Sequence, residues 1–215
     1  MTTDPLPPLV DACESLLAKH GDSYLGVGWT KSQDLADERH AGMLAVIREQ
    51  GPVTVLDVGC GTAQLLDHVR RTGDDRITYV GIDLSKRMLE AARAKHPDTT
   101  FLHGDLRDLR DTLPDVDYVV MSGLFTYRGP LSVTQVSREC HALVLCAAQV
   151  ARRGLVFNAT SPYVDWERDD LFHAPVRFLA ELMVESECPY FQIVNDDRRF
   201  EITVYGHRDR RTGRP

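Results

Sequence analysis

The chain has 215 residues and a formal net charge of −7, with 43% hydrophobic and 27% charged residues. This length suits one domain with a substantial core, and the composition excludes a disordered or collagen-like chain. The acidic balance argues against the broad basic face that binds nucleic acid. The N-terminus lacks the pattern of a secretory signal, and no run of about 18 apolar residues is present to span a bilayer. We therefore expect a cytoplasmic protein whose partner is a small molecule, and neither nucleic acid nor a membrane.

Neither the cysteines nor the C-terminal tail indicates a further site. The five cysteines are scattered, with no CxxC pair and no histidine at metal-ligand spacing, so we expect reduced, mostly buried thiols and no bound metal. The one basic cluster begins at His207 and continues into the tail. Chain ends of this composition are usually solvated and mobile, which predicts a flexible tail over residues 208–215.

Short apolar runs alternate with amphipathic segments, a pattern typical of a mainly parallel sheet covered by helices. Two helices are predicted first, at 9–19 and 33–49, and the polar, aromatic loop between them is predicted to be functional. Strands are predicted at 54–58, 77–82, 100–103, 118–121, 154–158, 190–194 and 200–205. Further helices begin near Thr62, Ser85, Ser132 and Pro175, where Ser85 is suited to cap its helix.

The order of these elements predicts the fold class. The last two strands are joined by a short turn-rich segment with no room for a crossover helix, so they should form an antiparallel hairpin. The prediction is an α/β fold: a single Rossmann-like domain whose seven-stranded, mainly parallel sheet ends in a C-terminal antiparallel hairpin, with helices on both faces. Residues 1–50 are expected to form an N-terminal helical cap segment and residues 51–207 the core.

A glycine turn follows the first predicted strand. Gly59-Cys60-Gly61 leads directly into a helix, and such a turn lets the backbone and the helix N–H groups approach a ligand, although tight turns also occur for packing alone. Asp83 ends the second strand about twenty residues later, where a carboxylate accepts hydrogen bonds from ribose hydroxyls. Gln64 stands at the third-glycine position, and Asp57 disfavours a diphosphate but suits a cationic amino group. The ligand predicted is a nucleoside joined to an amine without a pyrophosphate.

Three motifs in order resemble those of class I S-adenosylmethionine-dependent methyltransferases, at residues 55–62, 81–85 and 103–106. The segments 20–29, 122–125 and 157–158 are similar to a bacterial branch of small methyltransferases that act on small molecules. The resemblance implies that Gly59 and Gly61 line the methionine moiety, Asp57 orients its amino group and Asp83 holds the ribose. The cofactor-binding set it implies is Trp29, Asp57, Gly59, Gly61, Asp83, Leu84, Met88, Asp105, Leu106 and Ser122, with S-adenosylhomocysteine as the product.

Within that set, the resemblance places Leu84 and Met88 beside adenine and Asp105 on its exocyclic amine. On its own, Asp105 is as well explained as a helix or turn cap. His103 is expected to support the adenine edge.

The acceptor is expected beyond the carboxyl ends of the strands, where ligands bind in open α/β sheets. That position selects the loop with Tyr24 and the segments 122–128 and 158–166, whose aromatic residues suit an apolar wall but are equally common as core. The predicted substrate-binding residues are Tyr24, Phe125, Asn158 and Tyr163. No Asn/Asp-Pro-Pro-Tyr motif is present in these segments, which disfavours a nucleobase or amide nitrogen as acceptor.

Methyl transfer from a sulfonium needs placement and water exclusion more than a nucleophile from the enzyme. A hydroxyl or protonated amine acceptor is helped by a general base, and histidine is the obvious type. His173 and Tyr127 are the predicted catalytic residues, with plain solvent exposure as the alternative for His173. His141 lies inside a predicted helix and is expected to be structural.

The predicted function is methyl transfer from S-adenosylmethionine to an oxygen or nitrogen atom of a small-molecule metabolite, in biosynthetic tailoring. One alternative keeps the fold and is an NAD(P)-dependent oxidoreductase, which Asp57 and Gln64 disfavour. Another is a non-catalytic cofactor-binding module, which the aromatic segments disfavour because such a module needs no substrate pocket.

Overall fold

The computed structural model describes residues 6–28, 32–196 and 198–209. Two helices, α1 (Pro7–His20) and α2 (Gln33–Leu44), precede the first strand. The strands are β1 (Val53–Val58), β2 (Ile77–Asp83), β3 (Thr100–His103), β4 (Val116–Phe125), β5 (Ala151–Thr160), β6 (Tyr190–Asp196) and β7 (Glu201–His207). The remaining helices are α3 (Gln64–Thr72), α4 (Lys86–Lys95), α5 (Leu106–Leu109, followed by a 3₁₀ turn over Arg110–Thr112), α6 (Val133–Val150) and α7 (Val176–Glu185).

The seven strands form one sheet in the order β3-β2-β1-β4-β5-β7-β6. Strands β1 to β5 pair in parallel, and β7 runs antiparallel between β5 and β6. The predicted fold class is confirmed, including the antiparallel C-terminal hairpin. Because the sheet order reverses between β1 and β4, a crevice forms beyond the carboxyl ends of these two strands.

Alternate residues of the central strands belong to two apolar cores, one on each face of the sheet. Val119 and Met121 of β4 belong to the core that α6 and α7 cover. Tyr118 and Val120 belong to the core under α2, α3 and α4. Helices therefore cover both faces, as predicted.

Side-chain caps begin three of the predicted helices, and at the start of α2 the Ser32 hydroxyl accepts the N–H of Leu35. The Ser85 hydroxyl accepts the N–H of Met88 at the start of α4. Ser132 and Gln135 form a reciprocal capping box at the start of α6. The sequence thus marks these helix starts directly.

Two local predictions were wrong. Helix α2 ends at Leu44, five residues before the predicted end, because the following segment makes tertiary contacts: the Glu49 carbonyl accepts from Arg76 and its carboxylate from the Tyr118 hydroxyl. The short helix α5 was not predicted; it begins where Asp105 caps the N–H of Arg107.

All five cysteines are free, and four of them are buried. No helix in the described part of the chain is both long and apolar enough to cross a membrane.

Candidate active site

A cavity of about 1060 Å³ lies beyond the carboxyl ends of β1, β2 and β4. Helix α1, which has no buried residue of its own, forms one wall of it. This helix is fastened to α4, since the Ser85 hydroxyl donates to Glu14 Oε1 at 2.7 Å. The apolar residues of α1 that line the cavity, among them Leu9 and Leu16, are thereby held across the end of the sheet.

The loop after α1 covers the glycine turn. Asp22 is tied to α4 by an ion pair with Lys95, whose Nζ lies 2.8 Å from Asp22 Oδ2. Val27 lines the cavity, with its Cγ1 3.9 Å from where a Cβ on Gly61 would lie. The loop therefore borders the predicted cofactor site. Trp29, the predicted cofactor residue in this loop, lies outside the described residues.

The turn after β1 accepts only glycine at its first position. Gly59 has a φ of 72°, and a Cβ there would lie 2.2 Å from Leu124 Cδ2. Gly61, with a φ of 55°, also takes the left-handed conformation, which costs glycine little. Both glycines line the cavity, so their bare backbone faces its interior.

Asp83, at the end of β2, is bonded to this turn. Its Oδ2 accepts the N–H of Gly61 at 2.8 Å, and its Oδ1 accepts the N–H of Ser85 at 2.7 Å. Burial raises the pKa of Asp83, and the two backbone N–H groups oppose that rise. Because a carboxylate offers about four acceptor positions, it retains capacity for a hydrogen bond from a ligand hydroxyl.

Asp57, in β1, is almost fully buried and lines the cavity. Burial raises its pKa to about 7, against the effect of the Tyr79 hydroxyl, which donates to Asp57 Oδ2 at 2.6 Å. A buried carboxylate is costly unless it is paired, and a cationic ligand group supplies the missing partner. This residue therefore suits the ammonium group that the sequence predicted.

The predicted adenine side contains apolar residues and one capped carboxylate. Leu84, Met88 and Leu106 all line the cavity. Asp105 lines it as well, but its carboxylate also caps α5 and receives Arg107 Nε at 2.9 Å and Nη2 at 2.6 Å. From the sequence, Asp105 could contact adenine or cap a helix. The capping contact is present in the structure.

Ser122 provides a polar group inside the same cavity. Its hydroxyl oxygen is buried and has no hydrogen-bond partner among the described residues. Buried polar groups are nearly always hydrogen-bonded, so this hydroxyl indicates a ligand that completes it. The bare glycine turn and the buried carboxylate of Asp57 line the same cavity as this hydroxyl.

Comparisons with known proteins agree with this geometry. The family described as Methyltransferase domain matches residues 55–145, which include the glycine turn, Asp83 and Asp105. The chain therefore contains a methyltransferase domain. A candidate methyltransferase of Mycobacterium tuberculosis, Rv1506c, is 27% identical over 163 residues, which cover 75% of this chain and 96% of that protein.

Two further similar proteins either match a smaller part of this chain or share less of its sequence. The dTDP-3-amino-3,6-dideoxy-alpha-D-glucopyranose N,N-dimethyltransferase of Streptomyces fradiae is 40% identical over 70 residues, or 32% of this chain and 26% of that enzyme. The structure of magnesium protoporphyrin IX methyltransferase from Synechocystis with bound S-adenosylhomocysteine superposes with a TM-score of 0.68. It shares 14% identity, covers 96% of this chain and 100% of its own, and therefore shows the common fold.

The far end of the cavity in this methyltransferase has an aromatic wall, formed by Tyr127, Trp166 and Phe200. The rings of Trp166 and Phe200 meet edge to face with centroids 5.3 Å apart. Phe200 has a φ of 60°, a strained value for an aromatic residue. Phe125 also lines the cavity, as predicted for the substrate side.

The loops that carry this wall are joined to one another. The N–H groups of Arg128 and Gly129 donate to the Asp170 carbonyl, and the N–H of Phe172 donates to the Thr126 carbonyl. The loop after β4 and the loop after β5 therefore form one connected surface at the cavity mouth.

Four predicted residues do not line the cavity. Tyr24 lies in the covering loop, and the side chain of Tyr163 is 68% exposed. Asn158 is fully buried, and its amide is engaged by protein groups. His173 donates from Nδ1 to the Ser161 carbonyl at 2.9 Å, and its ring contacts that of Trp166, with centroids 5.8 Å apart. Its buried Nε2 has no partner among the described residues.

Sequence reasoning missed a buried ion pair that lines the cavity. Arg39 of α2 and Glu201 of β7 both line it and form a buried ion pair, with Arg39 Nη2 2.6 Å from Glu201 Oε1. They are 162 positions apart, so no local motif marks them.

A group of potential metal ligands, Asp37, His40 and His68, was also not foreseen. Burial, followed by repulsion from neighbouring cations, lowers the pKa of His40 to about 4, so its ring is neutral near pH 7. Arg71 Nη2 lies 2.6 Å from Asp37 Oδ1 and 3.2 Å from His68 Nδ1. The Arg71 guanidinium therefore neutralises the Asp37 carboxylate of this group.

Proposed function

We propose that this methyltransferase transfers the methyl group of S-adenosylmethionine to an oxygen or nitrogen atom of a small-molecule metabolite, in biosynthetic tailoring. The observation that carries the proposal is one continuous cavity that runs from the glycine turn to the aromatic wall. Donor and acceptor can lie in that cavity together, and α1 covers it. A cavity of this size favours a small acceptor over a polymer.

The cofactor-binding roles in this proposal follow the contacts described above. Asp57 pairs with the amino group, Gly59 and Gly61 leave room for the methionine moiety, and Asp83 accepts from the ribose. Leu84, Met88 and Leu106 supply the apolar surface for adenine, with Asp105 at its exocyclic amine. Trp29 keeps its predicted role on the cofactor side. When bound, the cofactor supplies a methyl group activated by its sulfonium.

The acceptor side is proposed to contain Phe125, Tyr127, Trp166 and Phe200. These side chains exclude water and place a lone pair against the methyl group, which is the main requirement of an in-line displacement. The name of the Streptomyces relative describes methylation of an amino group on a nucleotide-linked sugar. Only 70 residues align with it, so this likeness supports a nitrogen acceptor without excluding oxygen.

Tyr127 is the proposed catalytic group nearest the acceptor, because it lines the cavity and carries a hydroxyl. His173 is proposed as the base for a hydroxyl or protonated amine. Its Nδ1 donates to a carbonyl and therefore carries the proton, which leaves Nε2 as an acceptor in the neutral ring. His173 does not line the cavity, although its ring contacts that of Trp166, which does, so this role requires a movement that brings Nε2 to the acceptor.

The test combines cofactor binding with product detection. Calorimetry with S-adenosylhomocysteine and NAD in parallel should show binding of the former alone. Incubation of the enzyme with methyl-labelled cofactor and a metabolite extract should give a labelled small molecule by mass spectrometry. Tight NAD binding without a response to S-adenosylhomocysteine would overturn the proposal in favour of an oxidoreductase. Label found only in protein or nucleic acid would overturn the acceptor class.

A further inference from the structure

Strand β4 carries a bulge where it reaches the cavity. Met121 pairs with Phe157 of β5, and Phe125 pairs with Ala159, so residues 122–124 lie opposite Asn158 alone. Bulges redirect side chains and are common next to active sites. Residues 122–124 all line the cavity, between the glycine turn and the aromatic wall. Whatever holds this bulge therefore also sets the shape of the site.

Side chains hold the middle residue of the bulge at both of its polar groups. The N–H of Gly123 donates to Asn158 Oδ1 at 2.7 Å, and its carbonyl accepts from the Thr126 hydroxyl at 2.9 Å. With a φ of 86°, Gly123 takes a left-handed conformation that leaves the regular strand geometry. Asn158 thus replaces the ladder partner that the bulge lacks.

The two residues beside Gly123 connect the bulge to the cofactor side. Leu124 packs on Gly59 so closely that a single Cβ would overlap it. Ser122 places in the same cavity a hydroxyl that has no hydrogen-bond partner among the described residues. A shift of Gly123 therefore moves both the residue that covers the glycine turn and the hydroxyl offered to the ligand.

A buried ion pair orients Asn158. Its Nδ2 donates to Glu201 Oε2 at 3.0 Å, and Arg39 Nε lies 2.9 and 3.0 Å from the two oxygens of the same carboxylate. The side chains of Arg39 and Glu201 are only 9% and 6% exposed. Because the amide nitrogen must face the carboxylate, the amide oxygen must face the N–H of Gly123.

We propose that Asn158, Glu201 and Arg39 are positioning residues that hold the β4 bulge in the conformation that binds the cofactor. They couple α2 of the N-terminal segment to the donor side of the site. Glu201 is not the base in this assignment, since each of its oxygens already accepts two donors from Arg39 and Asn158. The inference rests on the proposed cofactor roles of Gly59 and Ser122.

The test exchanges the donor and the acceptor between two side chains of the full-length protein. Asn158→Asp keeps an acceptor for Gly123 but sets a second carboxylate against Glu201. Its affinity for S-adenosylhomocysteine, measured by calorimetry, should fall at least about tenfold. The double variant Asn158→Asp with Glu201→Gln again sets one amide donor, now at position 201, against one carboxylate acceptor, now at position 158. The net charge is unchanged. We expect it to recover binding to within about threefold of the wild type.

Two further variants separate positioning from general stability. Glu201→Gln alone leaves one acceptor oxygen for two donors, so its NH₂ group must face either Arg39 or the Asn158 Nδ2 group. It should weaken binding several-fold, which keeps the test decisive if Asn158→Asp does not fold. Tyr118→Phe removes a hydrogen bond to Glu49 at the other end of β4 and should lower the melting temperature without changing affinity. Folded Asn158→Asp or Glu201→Gln protein that binds like the wild type would overturn the inference, as would a folded double variant without recovery. A wild type that does not bind S-adenosylhomocysteine would instead refute the proposed function.

Discussion

The carboxylate of Asp83 accepts the N–H of Gly61 at 2.8 Å and so joins the end of β2 to the turn after β1. The residue proposed to hold the ribose therefore also fixes the glycine turn proposed to hold the methionine moiety. Since Ser85 donates to the other oxygen, the same carboxylate orients the start of α4 as well. Loss of Asp83 should accordingly affect the whole donor side and not a single contact.

Asp83→Ala should lower the affinity for S-adenosylhomocysteine at least about a hundredfold, because both the ribose contact and the support of the turn are lost. Calorimetry of the folded variant measures this. Glu90→Ala is the matched control, since Glu90 is an exposed carboxylate that lies outside the cavity on neighbouring α4. Unchanged affinity in Asp83→Ala would show that the ribose assignment is wrong.

Asp57→Asn should make the empty protein more stable and bind its cofactor less tightly. Burial raises the pKa of Asp57 to about 7, so the folded state binds this proton more tightly than the unfolded state. The charged carboxylate therefore costs stability, increasingly as the pH rises from about 4 through 7. Denaturant unfolding at pH 8 should show a gain on the order of 4 kcal/mol for Asp57→Asn, shrinking towards pH 4. A loss of stability at pH 8 would contradict this account.

The affinity of the wild type for S-adenosylhomocysteine should decrease as the pH falls below about 7. The cationic amino group of the ligand binds the charged form of Asp57, and in the empty enzyme that form is lost as the pH falls through the raised pKa. Well below the pKa, the loss should approach about tenfold per pH unit. Calorimetry between pH 5.5 and 8.5, in buffers whose pKa lies within about one unit of the working pH, would measure this loss of affinity. In Asp57→Asn, binding should be weak and nearly independent of pH, and a parallel decrease in that variant would assign the titration to another group.

The donor side could be predicted from the sequence because its residues are consecutive or stand at strand ends. Asp57, Gly59 and Gly61 belong to one strand and turn, and Asp83 ends the next strand, so local patterns place them together. Strand positions were predicted for the same reason, since apolar runs mark buried strands independently of their partners.

The acceptor side could not be predicted in the same way. Asn158 stands at a strand end, but the strand pattern does not tell whether its amide faces the cavity or the interior of the sheet. In the fold the Asn158 amide is hydrogen-bonded to Gly123 and Glu201, because β4 is bulged opposite this residue. That bulge, and the pairing of Arg39 with Glu201, depend on chain segments far apart in sequence.

Trp166→Ala should separate acceptor binding from cofactor binding. Trp166 lines the cavity and contacts the rings of Phe200 and His173, so its loss opens the aromatic wall to water. We expect the labelled small-molecule product to decrease at least about tenfold, while affinity for S-adenosylhomocysteine stays within about twofold of the wild type. Both are measured on one preparation, by mass spectrometry and by calorimetry.

Tyr163→Ala is the matched control for that wall, because Tyr163 is an aromatic residue of the same loop whose side chain is 68% exposed and lies outside the cavity. Product formation and cofactor affinity should both stay near wild-type values in this variant. If Tyr163→Ala lost the product while Trp166→Ala kept it, the acceptor would contact the outer face of the loop. The sequence prediction of Tyr163 as a substrate-binding residue would then describe the acceptor side better than the cavity does, because an exposed tyrosine ring still offers an apolar face and a hydroxyl to a ligand at the cavity mouth.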